Sequence, residues 1–176
     1  MKNIVLFFIL TALVSCKTEQ GMNKSVPYEE SMILIGQVNK DGFVQEPFNE
    51  WFQPNYQEYM IDGTTMAELK TLSKDIHVVT FMGTWCDDSK RETPAFLKIL
   101  DTIGFKSKNH KIYAVNREKT TPDSAEKGLN ITNVPTFIFY KDGKEINRIV
   151  EFPIESLEKD MINILKGNSY KHAYTE

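Results

Sequence analysis

The sequence predicts an α/β domain, a central mixed sheet flanked by helices, carrying an N-terminal strand and helix as an extension. Three observations lead there. An apolar, β-branched run at Ile76–Met82 is followed by a helix-forming stretch to about Ile103 and a second strand-like run over 110–116, which is β-α-β order. Asp142-Gly143 separates two further strand-like runs, 136–140 and 145–150, and Asp-Gly in that setting is a strong hairpin signal. An amphipathic stretch over 154–165 then closes the domain.

Before the domain, the chain opens with an address. Lys2 supplies a positive start, residues 4–14 an apolar segment, and Leu13-Val14-Ser15-Cys16 ends it. An apolar helix of that length reaches about 16 Å, short of the ~30 Å hydrocarbon core, so it is not expected to span a bilayer. Leu13-Val14-Ser15-Cys16 resembles the bacterial lipobox, which implies a signal peptide over 1–15, cleavage before Cys16 and lipidation of that cysteine with palmitate-type chains. The other reading is an ordinary signal peptide ending near a chance cysteine.

Residues 16–30 mix charged, small and polar types without apolar periodicity and are expected to form a tether. An extension over 31–62 follows, with a short strand at 32–38 and a helix at 47–61 carrying Phe48, Trp51, Phe52, Tyr56, Tyr59 and Met60. Pro54 is expected to break or bend that helix. Its aromatic stripe is expected to pack on the core. The domain proper is expected over 63–167. Thr64 or Thr65 caps a helix to about Ser73, Asp87 and Asp88 open the helix after the first core strand, and residues 122–129 suggest a short helix. The polar tail over 168–176 is expected to fray.

The net charge of −3 comes with no dense Lys/Arg block, which sets nucleic acid aside as a partner. His77, His110 and His172 have no ligand spacing and no glycine-rich loop cradles phosphate, so neither metal nor cofactor is expected. Cysteine usage is the informative count. Of the two cysteines, a lipidated Cys16 leaves Cys86 as the one thiol of the mature chain, and no internal disulfide is then possible.

Four local patterns in order carry a family resemblance. Trp85-Cys86 stands where the first core strand meets its helix, Pro94 lies eight residues beyond the cysteine, Val134-Pro135-Thr136 precedes a strand, and Lys141-Asp142-Gly143-Lys144 forms the hairpin. Together they resemble the thioredoxin-like superfamily over residues 64–167. The resemblance implies a thioredoxin-like fold, Cys86 as nucleophile within the turn Trp85, Asp87, Asp88 and Ser89, and a cis-proline at Pro135. That proline would offer the Val134 backbone to a substrate. A trans strand-entry proline is the alternative there. At a helix start, unpaired backbone N–H groups and the helix dipole favour the thiolate. Asp87 and Asp88 oppose it, and Lys90 and Arg91 offset them in part.

Two departures from the family bear on mechanism: Ser89 stands where a dithiol enzyme has its second cysteine, and Thr80 where thioredoxins bury an acid. The chain is thus expected to be a single-thiol, thioredoxin-like oxidoreductase or isomerase. It would act on protein or small-molecule thiols and disulfides from a lipid anchor on the membrane of the bacterial cell envelope, outside the cytoplasm. The rival from another class is a non-catalytic binding module in which Cys86 is incidental.

Overall fold

The computed structural model of the protein describes residues 21–175. The expected signal peptide over 1–15 and lipidated Cys16 lie outside the described residues. From Ser25 onward the expected tether is corrected, because β1 (Ser25–Tyr28) and β2 (Ser31–Leu34) pair as an antiparallel hairpin. The expected strand over 32–38 divides in two. Gly36, at φ +82, turns the chain after β2 and feeds β3 (Gly36–Val38) into a different sheet.

Asn39 then caps a short helix the sequence did not announce, α1 (Lys40–Phe43), its side chain accepting from the Asp41 N–H at 3.0 Å. The helix α2 (Asn49–Glu58) runs through Pro54 unbroken, correcting one of the two outcomes expected for that proline. Its hold on the core explains why. Phe52 is buried, stacked 5.4 Å from Phe43 and 5.7 Å from Tyr56, while the Asn55 amide donates to the Trp51 carbonyl at 2.8 Å. Phe48, Trp51, Phe52 and Tyr56 therefore pack inward as expected, but the helix stops at Glu58, short of the expected Ile61, and Met60 is left exposed.

Asp62 organises the next turn, accepting from the Thr64 N–H at 3.0 Å and the Thr64 hydroxyl at 2.6 Å, and α3 (Met66–Leu72) follows Thr65 without a side-chain cap. The predicted β-α-β unit is β4 (Ile76–Met82), α4 (Asp87–Ile103) and β5 (His110–Ala114). The hairpin is β6 (Thr136–Lys141) and β7 (Lys144–Val150), with Asp142 and Gly143 both at positive φ, the backbone a tight two-residue hairpin requires. The closing helix, α5 (Leu157–Leu165), is capped by Ser156, whose hydroxyl accepts from the Lys159 N–H at 3.2 Å.

The five-stranded sheet runs β3-β5-β4-β6-β7, with β4 and β5 parallel and the other pairings antiparallel. This is the α/β thioredoxin-like architecture, a mixed sheet with flanking helices and an added N-terminal region. Alternation along β4 divides the core. Val78 shares a cluster with Phe96, Phe137, Phe139, Leu157 and Met161 from the helices and neighbouring strands. Phe81 packs on the other face with Val115, Val134 and Ile138.

Residues 122–129 do not form the expected helix but a run of turns, since Ser124 (φ +56) and Gly128 (φ +80) leave the helical region. The Glu126 carboxylate reaches back to the Thr121 N–H and hydroxyl at 2.9 and 2.7 Å and holds the turns closed. The tail is also corrected, being docked rather than frayed. The Tyr170 hydroxyl donates to the buried Asp160 carboxylate at 2.8 Å, the Asn147 amide donates to the Tyr170 carbonyl at 3.0 Å, and the Tyr174 hydroxyl bonds Glu151.

Candidate active site

Between β4 and α4 the chain makes a tight turn, Gly83-Thr84-Trp85-Cys86. The Cys86 N–H donates to the Gly83 carbonyl at 3.0 Å, and the Cys86 carbonyl accepts from the Lys90 N–H at 3.0 Å as the first bond of the helix. Cys86 itself is the N-cap residue, with extended backbone and no side-chain cap bond, so its sulfur is left for other partners. Gly83 is required sterically: a Cβ there would stand 2.6 Å from the Trp85 ring. That ring is fixed by its Nε1–H, which donates to the Val115 carbonyl at 2.8 Å.

The Cys86 thiol donates to the Val134 carbonyl at 3.2 Å, across the start of β6, and the Val134–Pro135 peptide is cis. Residues far apart in sequence thus meet, as β4 and β6 are neighbouring strands and the turn after one faces the entry to the other. Cys86 is half-buried and, among the described residues, is paired with no other sulfur. Ser89, three residues beyond Cys86, holds the turn together. Fully buried, its hydroxyl accepts from the Gly83 N–H at 3.1 Å and so ties the helix to the turn.

The charges around the turn are matched in pairs. Lys90 meets Asp87 at 3.2 Å and Arg91 meets both Asp88 at 2.6 Å and Glu92 at 2.7 Å. Asp87 is almost fully exposed, and its pair is worth little in water. Glu92 is buried, which raises its carboxyl above the usual range, while Arg91 pulls it back.

Two further features depend on contacts that carry no local sequence signal. The first is His110. Its Nε2 lies 2.8 Å from the Thr80 hydroxyl, and its ring stands edge-on to Phe96 at 5.8 Å. Burial pushes His110 from its ordinary 6.5 down to about 4, with the Asp101 carboxylate acting weakly in the opposite direction. The sign of the stability effect follows. Between those two values the unfolded chain takes a proton that the folded chain refuses, so stability is expected to fall as pH drops from about 6.5 towards 4, by up to about 3 kcal/mol. Urea midpoints against pH check this, and His110→Gln should flatten the curve in that window.

The second is the N-terminal hairpin, whose Leu34 N–H donates to the Thr84 hydroxyl at 3.1 Å. The bond joins residues fifty positions apart. No local pattern in either segment signals it.

Comparison with known proteins places these features in context. The family model described as thioredoxin matches residues 61–163. The chain is 30% identical over 93 residues to a thioredoxin-like protein of Acanthamoeba polyphaga mimivirus, a match covering 51% of this chain and 63% of that protein. It is 26% identical over 99 residues to the thioredoxin of Gallus gallus, covering 56% of this chain and 89% of that one. The chain therefore spans less than two thirds of the mimivirus protein's length. Among solved structures, a protein of unknown function from Pseudomonas aeruginosa superposes with a TM-score of 0.58 at 14% identity, covering 76% of this chain and 93% of that one. That likeness concerns the fold alone.

Proposed function

Because this chain belongs to the thioredoxin family, we propose that it is a thiol–disulfide oxidoreductase or isomerase that works through the single thiol of Cys86. The observation that carries the reading is the meeting of Cys86 with Val134. A cysteine at the start of α4 holds its sulfur 3.2 Å from the carbonyl before Pro135, at the turn between a core strand and its helix. Beside it is a backbone segment able to pair with an extended substrate.

In the proposed step the Cys86 thiolate attacks one sulfur of a substrate disulfide. A mixed disulfide forms and the other substrate sulfur leaves as a thiolate. Ser89 has no thiol to attack that mixed disulfide, and its hydroxyl is already bonded to Gly83. Release therefore falls to a second thiol, from the substrate or from a small molecule. Protein thiols and disulfides are the proposed partners. The address over 1–15 and Leu13-Val14-Ser15-Cys16 support a lipid anchor on Cys16, and with it action at the membrane surface of the cell envelope, outside the cytoplasm.

Trapping tests the mechanism. When the full chain is recovered from cells after rapid acid quenching and alkylation, covalent complexes that a reductant dissolves are expected, and Cys86→Ala is expected to abolish them. Partner binding that survives Cys86→Ala with no covalent species would instead favour a non-catalytic module. The fold gives that module less than the sequence offered it, since Phe48 and Phe52 of the aromatic stripe are buried in the core rather than presented to a partner.

A further inference from the structure

Outside the segment matched by the family model, the β1–β2 hairpin builds a second wall beside the active-site turn. A groove of about 540 Å³ lies between the hairpin tip, with Glu29 and Glu30, and a facing wall of Trp85, Lys90 and Arg117. Thr84, Trp85 and Lys90 of its lining flank Cys86 in the active-site turn and the first turn of α4.

Arg117, exposed at the groove's edge, is oriented by two rings and a hydroxyl. Its Nε–H donates to the Tyr28 hydroxyl at 3.0 Å, and the guanidinium lies 4.8 Å from the Trp85 ring and 5.8 Å from the Tyr28 ring. A guanidinium oriented in this way keeps its terminal amino groups for a planar carboxylate at small entropic cost. Lys90 is already paired with Asp87 at 3.2 Å. Among the described residues, by contrast, no carboxylate pairs with Arg117 and no cation pairs with Glu29 or Glu30. The groove therefore offers unmatched charges of both signs. A ligand bearing only a carboxylate meets Glu29 and Glu30 unfavourably, and one bearing only an ammonium meets Arg117. A ligand with both groups satisfies both walls.

We infer that this groove binds a small zwitterionic thiol, an amino-acid or short-peptide thiol with free ammonium and carboxylate groups, as the second thiol that regenerates Cys86. The inference rests on the single-thiol reading above and names its missing reactant. From the mixed disulfide, the bound thiolate attacks the Cys86 sulfur, the substrate sulfur leaves as a thiolate, and Cys86 becomes disulfide-linked to the small thiol. A second molecule of that thiol attacks the linked small-thiol sulfur and Cys86 departs as thiolate. In sum, one substrate disulfide is reduced to two thiols while two small thiols are oxidised to one disulfide.

The test loads Cys86 of the full chain with thionitrobenzoate and follows release of that coloured thiolate by cysteine, mercaptopropionate, cysteamine or mercaptoethanol. Each rate is divided by the rate with a free aryl disulfide, which removes differences in thiol basicity. Cysteine is expected to lead mercaptoethanol by roughly tenfold, the size of one charge-assisted contact. Arg117→Gln should reduce the normalised rates of cysteine and mercaptopropionate. Joint Glu29→Gln and Glu30→Gln should raise mercaptopropionate and lower cysteamine. These opposed changes separate a lost charge from a lost fold, which would depress all four alike. Equal normalised rates for the four thiols, or a cysteine preference unchanged in both variants, would overturn the inference and leave the single-thiol reading standing. Failure of Cys86 to load at all would overturn both.

Discussion

Ser89→Cys is expected to convert the protein into one that reduces insulin with thioredoxin reductase and no added thiol, at a rate at least about a hundredfold above the parent. The magnitude comes from positioning, since a thiol three residues along the first turn of α4 replaces one drawn from solution. Intramolecular placement commonly exceeds a hundredfold. The parent is expected to be weak in the same assay, because the Ser89 hydroxyl cannot attack a mixed disulfide. The substitution also has a structural cost. Ser89 is fully buried and accepts from the Gly83 N–H at 3.1 Å. A bulkier sulfur that accepts poorly is expected to reduce stability by about 1–2 kcal/mol. Thr80 occupies the position of the family's buried acid, so the new thiol has no carboxylate there to take its proton, and turnover should climb as pH rises. A folded Ser89→Cys protein with two titratable thiols and no gain in turnover would show that something other than the second sulfur limits the reaction.

The residues that make this prediction possible were legible because their signals are local. Ile76–Met82, the helix opening at Asp87 and the Asp142-Gly143 turn each announce themselves within a few positions, and the sheet has little choice but to bring Val134 opposite Cys86. What stayed hidden depends on contacts distant in sequence. The hairpin strands are four residues each, too short for a periodic pattern, and their place is fixed by Leu34 on Thr84 and Tyr28 on Arg117. Residues 122–129 have a helix-like composition, but Ser124 takes a left-handed backbone where the Thr121 and Glu126 side chains close the turn. The tail looks too polar to order, yet the buried Asp160 requires donors, and the Tyr170 hydroxyl is one of them. His110 carries no local signal of its role, since nothing beside it in sequence foretells Thr80 across the β4–β5 pairing.

Phe96→Ala is expected to destabilise the fold by about 4 kcal/mol, a large fraction of what holds a domain of this size together. Phe96 is fully buried on α4, stacked 4.2 Å from Phe137 and edge-on to Phe139 at 6.1 Å and to His110 at 5.8 Å. It links the helix that carries Cys86 to β6, the strand that follows Val134 and Pro135. Neighbours drawn from two strands and a helix cannot all collapse into the space its ring leaves, which puts the loss in the upper range for such truncations. A second consequence follows from the same contact. The ring shields His110, so its removal admits water towards the Thr80–His110 pair and eases the burial that holds the imidazole near 4. The folded state then accepts a proton at higher pH, and the fall in stability between about 6.5 and 4 becomes shallower as well as starting from a lower level. Chemical denaturation of the parent and Phe96→Ala proteins across that range measures both effects. A uniform loss with an unchanged pH slope would mean that Phe96 supports packing alone, and that His110 owes its low value to Thr80 and the sheet.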